Sequence, residues 1–171
     1  MSELLHGYEE RVELFNEELA AIGIEREELG SLDHLAYRTN SLEEYYEVVA
    51  AAEALGRNLG EMEIVGRPIS AIALDAPLKA GGWVIPFLEI AAPKEGSPYP
   101  SGLEHAEFVT VKLLTDFEKD HPDISFGHEA MDRPINPELK YKNKTSGLSM
   151  KFHRLSLGVA LELENEEKIK A

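Results

Sequence analysis

Two apolar, strand-prone runs carry ionisable side chains where a buried strand should have none. Glu89 lies within residues 84–90, and His105 and Glu107 lie within residues 103–111. A carboxylate inside such a run is costly unless it is paired, hydrogen-bonded or bound to a metal. His34, in the short run 31–38, and His153, in the run 148–154, pose the same question. The chain has no cysteine, so thiolate chemistry is absent and any metal must sit on histidine and carboxylate ligands.

The elements that hold these residues follow from periodicity. Residues 2–24 read as an amphipathic helix in which Leu4, Tyr8, Val12, Phe15, Leu19 and Ile22 recur at steps of three and four; Gly23 ends it. Strand alternation over 31–38 puts His34, Ala36 and Arg38 on one face and Asp33, Leu35 and Tyr37 on the other. Ser41 with Glu44 forms a capping box for a helix that Gly56 closes. Strands are expected at 61–65, 69–75 and 83–91, with turns at Gly66-Arg67-Pro68 and Gly81-Gly82. After a Pro-rich linker the order begins again: a strand at 103–111, a two-turn helix capped by Thr115 and cut by Pro122, then strands at 124–130, 138–143 and 148–154. In the last of these, Ser149, Lys151 and His153 share a face. The tail fits two readings. A strand would display Glu162 and Glu164; a helix capped by Ser156 is favoured.

The expected fold class is therefore α+β, with two βαβββ modules forming a curved mixed-sheet cup. An N-terminal helical extension (1–30) precedes the first module (31–92), the linker (93–102), the second module (103–155) and a short helical C-terminal segment (156–171). In each copy the first and last strands carry an inward polar residue: His34 and Glu89 in one, His105 and His153 in the other. Their similar spacings suit equivalent positions in divergent repeats, and packing about a pseudo-two-fold axis would bring all four into one cup.

This order, with the segments DHLAYR (33–38), GRPI (66–69), PFLEI (86–90), the YP…LEHAEFV run (99–109) and KFH (151–153), resembles the vicinal oxygen chelate superfamily of glyoxalase I, methylmalonyl-CoA epimerase, extradiol dioxygenases and bleomycin-resistance proteins. More narrowly it resembles the YecM-like branch, which has a helical extension ahead of the paired modules. The resemblance implies one ligand from the first and one from the fourth strand of each module. By position these are His34, Glu89, His105 and, where relatives carry a carboxylate, His153; a strand-like tail would offer Glu162 or Glu164 instead.

Such a set suits one borderline divalent ion: zinc, nickel, iron, manganese or cobalt. Its chemistry would be Lewis-acid activation of a small oxygenated metabolite, as in an isomerase, epimerase, lyase or dioxygenase. Glu107, two residues from His105 on the same strand face, is the candidate catalytic base, and Arg38 and Lys151 are candidate contacts for a substrate carboxylate or phosphate. The bland alternatives are hydrogen-bonded core histidines and, for Glu89, a buried pair with Arg38 or Arg67. Trp83 and Tyr99 read as packing residues, and His6, His121 and His128 as surface. A competing function is non-catalytic sequestration of a small molecule, in the manner of bleomycin-resistance proteins.

Composition narrows the partners. The formal charge of −15 argues against nucleic acid and anionic membranes. The N-terminus lacks a basic region followed by an apolar core, and no run approaches the length that spans a bilayer. The expectation is a cytoplasmic monomer or homodimer acting on a small molecule.

Overall fold

The computed structural model describes residues 3–96 and 100–170. The middle of the expected linker, residues 97–99 with Tyr99, lies outside them. Single 3-10 turns at Glu3–Leu5 and Arg26–Glu28 flank helix α1 (Tyr8–Ala21). Then follow β1 (Leu29–Arg38), α2 (Leu42–Glu53), β2 (Gly56–Ile64), β3 (Arg67–Ala80) and β4 (Trp83–Ala91). The second half repeats the order as β5 (Gly102–Thr110), α3 (Leu114–Asp120), β6 (Gly127–Ala130), β7 (Glu138–Lys142) and β8 (Ser149–His153), and α4 (Leu157–Lys170) closes the chain.

Among the described residues eight strands join one mixed sheet in the order β2-β3-β4-β1-β5-β8-β7-β6. The order is a palindrome of the two βαβββ halves. β1 and β5 meet antiparallel at its centre, and each has the last strand of its own half as a parallel neighbour. On one face Leu35, Leu88, Ala106, Phe108, Met150, Phe152 and Leu139 are buried, and they join Val12, Phe15 and Leu19 of α1, Tyr45 of α2 and Phe117 of α3 in one apolar cluster. The alternate residues build the opposite, polar face.

The structure refines the sequence expectations element by element. α1 starts at Tyr8, after Gly7 in the left-handed region, and Leu5 rather than Leu4 is buried ahead of it. Ser41 Oγ accepts the Glu44 N–H at 3.0 Å, while the Glu44 carboxylate reaches back to Asn40. Gly56 does not close α2 but opens β2, where a Cβ would lie 2.0 Å from the Ala73 carbonyl oxygen. β3 runs through Pro77, which sits in an irregular stretch where the β3–β4 register breaks between Ala73 and Leu78. Gly81 and Gly82, both at positive φ, form the two-residue turn joining Ala80 to Trp83. Thr115 does not cap α3, whose N-cap is Leu113; burial of Leu114 and Phe117 sets where this helix begins. His121 is not a free surface residue, since its ring packs on Phe117 and Nε2 lies 3.0 Å from Glu28 Oε1. The tail is helical, with the Ser156 carbonyl accepting the Ala160 N–H at 2.9 Å, so Glu162 and Glu164 ride on α4 and not on a sheet strand.

Candidate metal centre

Two bulges at the central seam build the site. Between β1 and β5 the pairing passes from Leu32↔Phe108 to His34↔Glu107, so Asp33 is an extra residue on β1. Further along it passes from Ala36↔His105 to Tyr37↔Leu103, which makes Glu104 the extra residue on β5. A bulge breaks the alternation of side chains and re-aims them. In each half it brings an acid against the imidazole that follows it: Asp33 Oδ2 lies 2.9 Å from His34 Nδ1, and Glu104 Oε2 lies 2.7 Å from His105 Nδ1. The Asp33 oxygen also accepts the Leu157 N–H of α4 at 2.8 Å, and Glu104 also accepts from Arg38 Nε. A carboxylate on Nδ1 fixes the ring and directs Nε2 inward.

Inward, the two halves differ. Glu107 Oε1 lies 3.0 Å from His105 Nε2 and 2.7 Å from Lys151 Nζ. The same oxygen lies 3.4 Å from His34 Nε2, and Glu89 Oε2 lies 3.9 Å from that nitrogen. Neither contact has hydrogen-bond geometry, and His34 Nε2 is buried without a hydrogen-bond partner. His153 stacks on His34 with ring centroids 6.1 Å apart and brings Nε2 to 3.4 Å from Glu107 Oε2; both its ring nitrogens are buried without hydrogen bonds.

These neighbours set the protonation states. Burial alone would push the His34 pKa down, but the negative charge of Glu107, the Asp33 hydrogen bond and the charge of Glu89 hold it well above the usual histidine range. Burial would raise Glu107, yet the charges of Lys151 and His34 and the His105 hydrogen bond keep it well below the usual carboxylate range. His153 is lowered by burial, with Glu107 only partly opposing. Glu104 sits at about 2: burial opposes the shift, but His105 and Arg38 outweigh it.

The sequence-derived candidates therefore share one face. His34, Glu89 and Glu107 each present an atom within 4.8 Å of the others, all three buried. Asp33, His34 and His153 form a second such group, but Asp33 Oδ2 and His34 Nδ1 are already bonded to each other. His105 stands outside both groups, with a carboxylate on each ring nitrogen. Arg38 is turned to Glu104, whereas Lys151 reaches Glu107 at 2.7 Å and Glu138 at 3.4 Å. Sequence reasoning missed Asp33, Glu104 and Glu138 as members of this network. A signal for the first two was present, because each half carries an acid immediately before its strand histidine.

The model of the YecM protein family matches residues 1–145. The chain belongs to the YecM family. Among solved structures, a structural-genomics protein called EC4020 superposes with a TM-score of 0.75 at 24% identity, over 90% of this chain and 86% of that one. Methylmalonyl-CoA epimerase from Mycobacterium tuberculosis superposes with a TM-score of 0.57 at 13% identity, over 80% of this chain and 95% of that one. The Streptomyces coelicolor methylmalonyl-CoA epimerase E43Q, in complex with 2-nitronate-propionyl-CoA, gives 0.55 at 14% identity, over 74% and 97%. These likenesses show the fold of the vicinal oxygen chelate superfamily. No curated protein matches the chain. Helix α4, which donates to Asp33, lies beyond the residues matched to the family. Among the described residues no helix is long and apolar enough to cross a membrane.

Proposed function

We propose that this YecM family member is a metal-dependent protein of the vicinal oxygen chelate type, an isomerase, epimerase or lyase acting on a small oxygenated metabolite. The observation that carries the reading is His34 Nε2, buried, without a hydrogen-bond partner, and facing the carboxylates of Glu89 and Glu107. Native proteins seldom leave such an atom unused. A mixed imidazole and carboxylate set suits a borderline divalent ion.

In this reading His34 gives up its Nε2 proton to hold the ion with Glu89 and Glu107, and His153 stands beside them as a fourth donor. Glu107 is then a ligand rather than the free base its spacing from His105 suggests. His105 and Glu104 steady it from behind, as outer partners orient metal-binding groups elsewhere. When bound, the ion would supply Lewis-acid stabilisation of negative charge developing on a substrate oxygen. The protein contributes a buried, fixed array of charges that needs little rearrangement as that charge develops.

The test is divalent-metal content of the purified protein, followed by calorimetric titration with zinc, manganese and nickel. One ion per chain is expected. His34→Ala and Glu89→Ala should each weaken binding by about tenfold or more, and His105→Ala by less, since it acts through Glu107. A wild-type protein that neither carries nor takes up a divalent ion would sink the proposal.

A further inference from the structure

The seam register relates the two halves residue by residue. His34 faces Glu107 across the β1–β5 pairing, and Ala36 faces His105. A two-fold axis that exchanges His34 with His105 therefore exchanges Ala36 with Glu107. The parallel neighbours obey the same exchange, because Ala36 is paired with Glu89 on β4 and Glu107 with Lys151 on β8. The counterpart of Glu89 is thus Lys151, two residues before the histidine that chain spacing alone selects. Where the first half offers a carboxylate oxygen, the second offers an ammonium.

That ammonium is built into the site. Lys151 Nζ lies 2.7 Å from Glu107 Oε1 and 3.4 Å from Glu138 Oε1, and Glu138 is held in turn by Arg133 Nη1 at 3.0 Å. An ammonium has three hydrogens and no lone pair, so it cannot ligate a cation while it remains charged. It lies against the same Glu107 carboxylate that the proposed metal needs.

Resting on the metal reading above, we propose that Lys151 sets the cation affinity of this site: it is an internal ammonium in the position mirrored by Glu89, competing with a divalent ion for Glu107. The consequence is a centre whose acids are partly compensated without metal, and whose metal is held loosely enough to exchange.

The experiment is titration of manganese and of zinc into metal-stripped wild type, Lys151→Glu and Lys151→Gln, with circular dichroism to verify the fold. Lys151→Glu removes a positive charge and restores the mirrored carboxylate, so both metals should bind at least about tenfold more tightly. Lys151→Gln removes the charge alone and should tighten binding by a smaller factor, which keeps the test decisive if the glutamate variant does not fold. A wild type that binds more weakly than a folded Lys151→Glu variant would support both readings, and a wild type that does not bind beside a Lys151→Glu variant that does would support the role of Lys151 even as the wild-type metal reading failed. Binding by the wild type that is unchanged or weakened in a folded variant would overturn the role and leave the metal reading standing. Absence of binding in all three would overturn both.

Discussion

Acidic and basic side chains alternate along one chain of contacts on the polar face. Arg38 meets Glu104, which meets His105; His105 meets Glu107, which meets Lys151; and Lys151 meets Glu138, held by Arg133. Removing one member of such a chain strands its neighbours, which is why buried pairs are more costly to break than to replace whole. Glu104 offers the clearest pH signature. Its folded pKa of about 2 lies below the ordinary 4.5. Its stabilising contribution is therefore fully present above the ordinary value and is lost as pH falls through the folded one. Because its side chain remains 34% exposed, solvent screens the effect. Glu104→Gln should be less stable than wild type near neutral pH, with the gap closing between about 4.5 and about 2. Urea melts of both proteins across that range check this; a gap that widened on acidification would contradict it.

At the level of elements, the parts written into local pattern were legible in the sequence. The apolar stripe of α1, the Ser41 cap and the alternation that puts His34 and Arg38, or Lys151 and His153, on one face all follow from neighbours a few residues apart. The departures came from partners far along the chain. Nothing local says that Asp33 and Glu104 are bulged, because a bulge is a property of two strands. Nothing local distinguishes Lys151 from His153 as the mate of Glu89, because that depends on the β5–β8 register. Gly56 shows the same lesson sterically. It was readable as a helix terminator, yet its use is to let β2 start against the Ala73 backbone, where a Cβ would stand 2.0 Å from the carbonyl oxygen. Gly56→Ala should therefore force the strands apart and lower stability by about 2 kcal/mol, in the range of overpacking substitutions. Chemical denaturation measures the loss, and amide exchange should place it in β2 and the facing part of β3.

For the whole molecule, the question is whether two similar halves behave as two folding units. The sheet argues that they do not, since its centre is the β1–β5 pairing, and the proposed site draws Glu89 and His34 from one half and Glu107 and His153 from the other. The apolar side argues the same way through Phe108. This β5 residue is fully buried; its ring meets Trp83 of β4 edge-on at 5.6 Å and stacks on Phe152 of β8 at 5.8 Å. It therefore bridges the last strand of each half. Trp83 is also tied to α1, through its Nε1–H donated to Asn16 at 2.8 Å, and is covered by the Arg26 guanidinium 3.6 Å from its ring. A tryptophan so placed reports on the first half and the helical extension together. Its fluorescence and the far-ultraviolet circular dichroism of the whole sheet should lose their folded signals at one urea midpoint. Phe108→Ala should move both midpoints together, at a cost of about 3–5 kcal/mol for a buried phenylalanine. A variant in which the fluorescence transition shifts while the dichroism splits into two steps would mean that the halves fold separately and that the site assembles only after they dock.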